Sequence, residues 1–102
     1  MSVPKRTVRL APDAQRDYDN ILLYSLLNWG ESQMERYRAA LDRAFTRLAD
    51  FPEIGTRRDR LFPGYRSFPV QQHVLYYRIS DDEVEIARIL HRRSDPVRHL
   101  RP

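Results

Sequence analysis

Cysteine is absent from this 102-residue chain, Lys5 is the only lysine among 18 Lys+Arg, and there are three glycines. Without cysteine there is no disulfide framework, no thiolate metal site and no cysteine nucleophile. Gly30, Gly55 and Gly64 never cluster, so no loop is built to cradle a phosphate, which argues against nucleotide-dependent chemistry and leaves no cofactor expected. No window approaches the roughly 18 apolar residues of a membrane span. The start, Met1 to Arg6, has charge but no apolar segment behind it, so a cytoplasmic protein is expected. His73, His91 and His99 lack helical metal spacing, and no metal centre is expected. None of the serines sits in a nucleophile elbow or beside an evident base, so hydrolase triads fall away.

What is present suits one small soluble domain over residues 1–102 with a thin core. A hydrophobic share of 41% with 11% aromatics is enough for that core. The mean hydropathy of −0.70 places the rest in water. The net charge is +4, with a pI near 9.8. Charge alone points weakly to nucleic acid, because excess charge also serves solubility. The choice of arginine says more, since its planar fork of donors matches carboxylates and phosphates and stacks on aromatics. A codon bias toward arginine is the plainer account, and the positions of the arginines must decide.

Thr7-Val8-Arg9-Leu10 alternates as a strand does. Pro12, harmless in a first helical turn, and Asp13, favourable beside the positive helix end, predict a helix start. Its apolar stripe is Ala14, Tyr18, Ile21, Leu22, Leu26 and Trp29, completed by Ser25 and closed by Gly30. From Glu31 to Asp50 the period recurs in Met34, Tyr37, Leu41, Ala44, Phe45 and Leu48. Two amphipathic helices joined at one glycine make a helical hairpin. Pro52 ends it and Gly55 permits a tight turn. The charged stretch Thr56 to Pro63 predicts an exposed loop, followed by strands over Tyr65–Val70, His73–Ser80 and Glu83–His91, the last two joined at Asp81-Asp82. The expected fold is α+β: a small antiparallel sheet packed against an N-terminal helical hairpin, in the order β-α-α-β-β-β. Residues 95–102 are expected to form a loosely held tail.

The sheet half carries the chemistry. Arg66, Arg78, Arg88, His91, Arg92 and Arg93 come from strands that should be neighbours, interleaved with Tyr65, Phe68, Tyr76 and Tyr77. In the last strand a period of two puts Val84, Ile86, Arg88 and Leu90 on one face and Glu85, Ala87, Ile89 and His91 on the other. Arg88 either pairs with a helix carboxylate at the core edge or contacts an anion. Tyr18, Trp29 and Tyr37 are first of all packing residues of the helices. Exposed aromatics beside arginine would instead anchor a partner.

Five segments together carry a resemblance. They are Leu10-Ala11-Pro12-Asp13-Ala14-Gln15-Arg16-Asp17 through Tyr24 to Trp29-Gly30; Leu48-Ala49-Asp50-Phe51-Pro52-Glu53-Ile54-Gly55; Pro63-Gly64-Tyr65-Arg66-Ser67; Val74-Leu75-Tyr76-Tyr77-Arg78; and Glu85-Ile86-Ala87-Arg88-Ile89-Leu90-His91-Arg92-Arg93-Ser94-Asp95. In that order they resemble the ParE-like toxins of the RelE/ParE superfamily of type II toxin–antitoxin systems. The resemblance implies a toxin that poisons DNA gyrase and blocks replication, neutralised by a ParD-like antitoxin whose C-terminal segment folds along its surface. It also implies a hetero-oligomer with that antitoxin, and the free toxin is expected to be a monomer or weak dimer. Partner binding is then expected at Trp29, Tyr65, Arg66, Tyr76, Arg78, Arg88, His91, Arg92 and Arg93, and no catalytic residue is favoured. The alternative is a RelE-like ribosome-dependent mRNA endoribonuclease using Arg66, Arg88 and His91. The single lysine and the lack of any tyrosine after Tyr77 lean away from it.

Overall fold

Backbone geometry follows the punctuation of the sequence closely in the first half of the chain. In the computed structural model, which describes residues 6–101, strand β1 (Thr7–Leu10) leads directly into helix α1 (Pro12–Trp29). The polar start Met1–Lys5 and the last residue of the tail, Pro102, lie outside the described residues. Gly30 adopts φ +91° and is at once the end of α1 and the start of α2 (Glu31–Asp50). A residue with a Cβ resists that conformation, which is why a glycine can join two helices with no further linker.

The hairpin buries Ala14, Leu22 and Ser25 from α1 and Ala40, Leu41, Ala44 and Leu48 from α2. Of these, Ala14, Ala40, Leu41, Ala44 and Leu48 pack on one face of a five-stranded sheet, against Val70, Leu75, Tyr77, Val84, Ile86 and Ile89. The sheet runs β1-β5-β4-β3-β2, with β2 Thr56–Arg57, β3 Tyr65–Val70, β4 His73–Ile79 and β5 Glu83–His91. β1 lies parallel to β5, and the other pairs are antiparallel. The α+β architecture expected from the sequence is the one observed, with two additions. The charged stretch after Gly55 opens with a two-residue strand, β2 (Thr56–Arg57), paired with Ser67 and Arg66 of β3. A strand this short and exposed leaves no alternation to read in a sequence.

The second addition concerns the tail. Expected to be loosely held, it turns through a short helix α3 (Pro96–His99), capped by the Asp95 side chain accepting from Val97 N–H. Leu100 is only 5% exposed, and it packs with Tyr65, Tyr76 and Leu90 on the sheet face away from the hairpin. The Tyr65 hydroxyl donates to the Arg101 carbonyl at 2.8 Å. A small second apolar cluster, completed by Leu61, Phe62, Val74 and Ala87, therefore covers that face.

One irregularity rearranges the faces of β5. Tyr76 pairs with Arg88 while its neighbour Tyr77 pairs with Ile86, so Ala87 is the extra residue of a β-bulge. Val84 and Ile86 consequently share the hairpin face with Ile89, and Leu90 joins Tyr65 and Tyr76 on the opposite one. The strict alternation expected for β5, with Arg88 beside Val84 and Ile86, is thus corrected from Arg88 onward.

Gly55 also has a different reason from the one its sequence context gives. Its φ of −72° is open to any residue. Space is the constraint: an added Cβ would overlap the Tyr77 hydroxyl and come within 2.8 Å of the Ser67 carbonyl oxygen. Tyr77, fully buried, donates from that hydroxyl to the Pro52 carbonyl at 2.6 Å and accepts from Gly55 N–H at 2.9 Å. Its ring spans the core and stitches the turn after α2 onto β4. Replacing Gly55 by alanine should cost about 1–3 kcal/mol through overpacking against backbone. Tyr77→Phe should cost a comparable ~1–3 kcal/mol, since a buried donor and acceptor lose their partner. Urea unfolding of both variants measures these losses.

Candidate functional site

The residues expected to bind a partner do not form one surface. Arg66 turns back along the turn after α2 and donates to the carbonyls of Glu53 (3.2 Å) and Gly55 (3.0 Å). Arg78 donates to Glu85 at 2.5 Å and lies over the Tyr65 ring, 5.0 Å from its centroid. Hydrogen bonds from Arg78 and Arg9 hold the Glu85 carboxyl below the usual carboxylate range. Arg88 makes two charge-assisted bonds to Asp17 of α1, Nε to Oδ2 at 2.8 Å and Nη2 to Oδ1 at 3.0 Å. Asp17 also accepts from Ile89 N–H at 2.9 Å. Of the two readings open for Arg88, pairing with a helix carboxylate is the one found. Tyr65 and Tyr76 are buried in the second cluster. Arg92 and Arg93 are exposed beyond the end of β5.

Tyr65, Arg78 and Arg88 line one pocket of about 220 Å³ beside the tail, with Glu85, His99 and Leu100, and two other expected residues meet elsewhere. Trp29 and His91 line one groove of about 310 Å³ between the tip of the helical hairpin and the end of the sheet. It is completed by Ile21, Tyr24, Ser25, Gln33, Tyr37, Gln72 and His73. Trp29 is 70% exposed, so its place on the helical stripe does not make it a core residue. Beside the groove, Leu23, Tyr24 and Leu27 are exposed as well, Leu27 to 74%. From Asn20 to Gly30 the chain has no charged side chain, and this second half of α1 exposes Leu26 as well, beside the polar Asn20 and Asn28. Contiguous large apolar side chains exposed in this way are unusual on a monomer in water.

At the floor of the groove, β4 and β5 bring His73 and His91 directly opposite one another, their rings edge-on with centroids 5.4 Å apart. His73 also meets Tyr37 of α2, whose hydroxyl is in short contact with its Nδ1. Burial, and to a lesser degree the neighbouring His91, pushes the His73 imidazole down to about 4. Burial likewise pushes the Tyr37 hydroxyl up.

Across this fold, ParE toxins of type II toxin–antitoxin systems (parDE) match the chain from residue 8 to residue 96. The chain belongs to the ParE toxin family. Toxin ParE1 of Mycobacterium tuberculosis is 36% identical over 92 residues, which cover 89% of this chain and 94% of that one. The family boundary with RelE is close: Toxin RelE3 of Caulobacter vibrioides is also 36% identical, over 84% of this chain and 94% of its own. A solved chain of the chromosomal ParDE toxin–antitoxin system from P. aeruginosa superposes with a TM-score of 0.73 over 87% of this chain and 98% of its own. At 18% identity it shows the shared fold. Among the described residues of this ParE-family toxin, no helix is long and apolar enough to cross a membrane.

Sequence reasoning missed Tyr24, Gln33, Gln72 and His73, and it assigned Tyr37 to helix packing. Two signals were available. Leu23, Tyr24 and Leu27 fall outside the stripe assigned to the core, which left three large apolar residues unexplained. The short connection Gln71-Gln72 pairs His73 with His91 once β4 and β5 are in register.

The depressed His73 makes stability depend on pH. An unfolded histidine takes a proton near 6.5, whereas the folded one does so only near 4, so between these values the unfolded state binds the extra proton. Stability should be fully present above about pH 6.5 and fall as the pH drops toward 4, by about 1–3 kcal/mol after discounting for partial solvent screening. Unfolding curves of wild type and His73→Gln across this range check it, the variant showing the shallower fall.

Proposed function

We propose that this ParE-family toxin is a protein-binding inhibitor that poisons DNA gyrase and blocks replication in the cytoplasm, and that a ParD-like antitoxin neutralises it. The observation that carries the inhibitor reading is the state of the arginines. A nuclease acting through Arg66, Arg88 and His91 needs these groups convergent on one phosphate, because phosphoryl chemistry depends on positioned charge. Here Arg66 is tied to the Glu53 and Gly55 carbonyls, Arg88 to Asp17 and to the His99 carbonyl, and His91 lines a different groove. What the surface offers instead is an uncharged apolar helix face and an adjoining groove, which suit a protein partner.

The antitoxin is expected to lay an apolar, acidic segment along the exposed face of α1 and into the groove. Such a segment would cover Leu23, Leu27 and Trp29 and bring negative charge to a chain of net charge +4. The similarity to RelE3 keeps message cleavage as the competing outcome.

Supercoiling and cleavage-complex assays with purified toxin test the target. Inhibition of supercoiling with accumulation of cleaved DNA is expected, and no effect on gyrase at toxin excess would sink the proposal. In parallel, His91→Ala should remain without effect on messenger RNA. If the wild type cleaves message on the ribosome and this variant does not, the nuclease reading replaces the inhibitor one. Within the antitoxin reading, Trp29→Ala or Leu27→Asp should weaken the complex by about 2 kcal/mol or more, measured by calorimetry, while the free toxin keeps its melting temperature.

A further inference from the structure

A second groove, of about 680 Å³, opens on the sheet face away from the hairpin. Its banks are residues 57–61, which leave β2, and Pro96 at the start of α3, and Tyr76 of β4 lies between them. Tyr76 is only 8% exposed, yet no partner among the described residues hydrogen-bonds its hydroxyl. A phenol buried so far ordinarily finds a partner within its own protein. Burial pushes this hydroxyl up, Arg58 working against the shift and Asp95 with it, so both charges lie close to the oxygen.

The arginine bank is fixed in place. Arg58 N–H donates to the Tyr65 carbonyl at 2.8 Å, and the Arg58 carbonyl accepts from Leu61 and Phe62 N–H at 2.9 and 3.1 Å. Its side chain is aimed by Nε donating to Ser67 Oγ at 2.7 Å, which leaves both terminal nitrogens without a partner among the described residues. Arg60 is exposed, and its guanidinium makes no ion pair or hydrogen bond among them either. The two nearby carboxylates are already engaged. Asp59 accepts from Arg57 at 2.9 Å and from Gly64 N–H at 3.0 Å. Asp95 accepts from Val97 N–H at 3.0 Å and has Arg98 at 4.0 Å. Two guanidinium groups and a phenol donor are thus directed at a space that the chain itself does not fill.

Guanidinium forks match carboxylates and phosphates alike, so the rest of the groove must choose between them. Its lining holds Leu61 and Pro96 but no exposed aromatic anchor of the kind around which protein interfaces are built. Interfaces with DNA are more polar and far more positive than those between proteins. A single nucleic acid strand is held by stacking its bases on aromatic faces, and the buried Tyr76 ring offers none. We infer that this groove takes the phosphate backbone of duplex DNA, with Arg58 and Arg60 meeting phosphate oxygens and the Tyr76 hydroxyl donating to one of them. Contacts of this kind hold a duplex without reading its sequence. The groove shares no residue with the one lined by Trp29 and His91, and the inference requires neither the gyrase nor the antitoxin reading.

Fluorescence anisotropy of a labelled DNA duplex of mixed sequence, titrated with the purified toxin at several salt concentrations, tests the inference. Binding is expected to weaken with salt along a double-logarithmic slope of about −2 to −3, as about two or three neutralised phosphates require. Arg58→Gln and Arg60→Gln should each make that slope shallower by about one. Tyr76→Phe should bind about three- to tenfold more weakly at an unchanged slope. Arg43→Gln removes the same charge from the exposed side of α2 and should bind as the wild type does. Circular dichroism melts confirm that the variants fold. Absence of duplex binding at low salt overturns the inference, and so does a loss in Arg43→Gln equal to that in Arg58→Gln and Arg60→Gln. A single-stranded RNA oligonucleotide that binds more tightly than the duplex, and is lost in the same variants, overturns it in favour of RNA. A polyglutamate peptide that does so overturns it in favour of an acidic protein partner.

Discussion

Asp17 and the bulge it faces hold the helical hairpin and the sheet in their mutual geometry. β1 ends at Leu10, and Ala11 N–H makes the last ladder bond to Ile86 at 2.9 Å, so β5 beyond that point would be a bare edge. One carboxylate on the second turn of α1 takes over, accepting the Ile89 N–H and both arms of the Arg88 guanidinium. An edge strand left open invites pairing with another chain. Here it is closed by a side chain, and the same bond anchors the helical hairpin to the sheet. The bulge at Ala87 then reverses which residues look toward the helices, and His91 lines the groove for that reason.

The first half of the fold could be read from punctuation, because the signals there are local. Pro12, Gly30 and Pro52 each act on their own backbone, and the helical stripe between them survives into the structure as Ala14, Leu22, Leu41, Ala44 and Leu48. The second half depends on pairing between distant segments, which leaves less trace. A single unpaired residue in β5 undoes an alternation that nothing in Glu83–His91 signals. The site was legible in part: Trp29 and His91 were expected to bind a partner and share the groove, whereas His73 enters it only through register. The family resemblance, spread over most of the chain, is robust because it rests on five segments in order rather than on any one residue.

The arginines divide by what they find. On the sheet, Arg66, Arg78 and Arg88 each meet a carbonyl or carboxylate of the same chain, and their side chains serve the fold. Exposed Leu23, Leu27 and Trp29 make the opposite case, since no described residue covers them. Composition drew attention to the charged residues. The large apolar side chains left exposed on α1 lie in its uncharged half.

The joint at Gly30 has a consequence for how this chain can vary in length. With a single residue between α1 and α2, neither helix has slack to absorb a change. One residue added within the first turn of α2 would rotate the remainder of that helix by about 100°. Ala40, Leu41, Ala44 and Leu48 would then swing off the sheet together. Residues 58–60, between β2 and β3, are exposed and less restricted, although Leu61 and Phe62 after them pack into the second cluster. Insertions and deletions that preserve the fold belong there, and the hairpin behaves as a part of fixed dimensions.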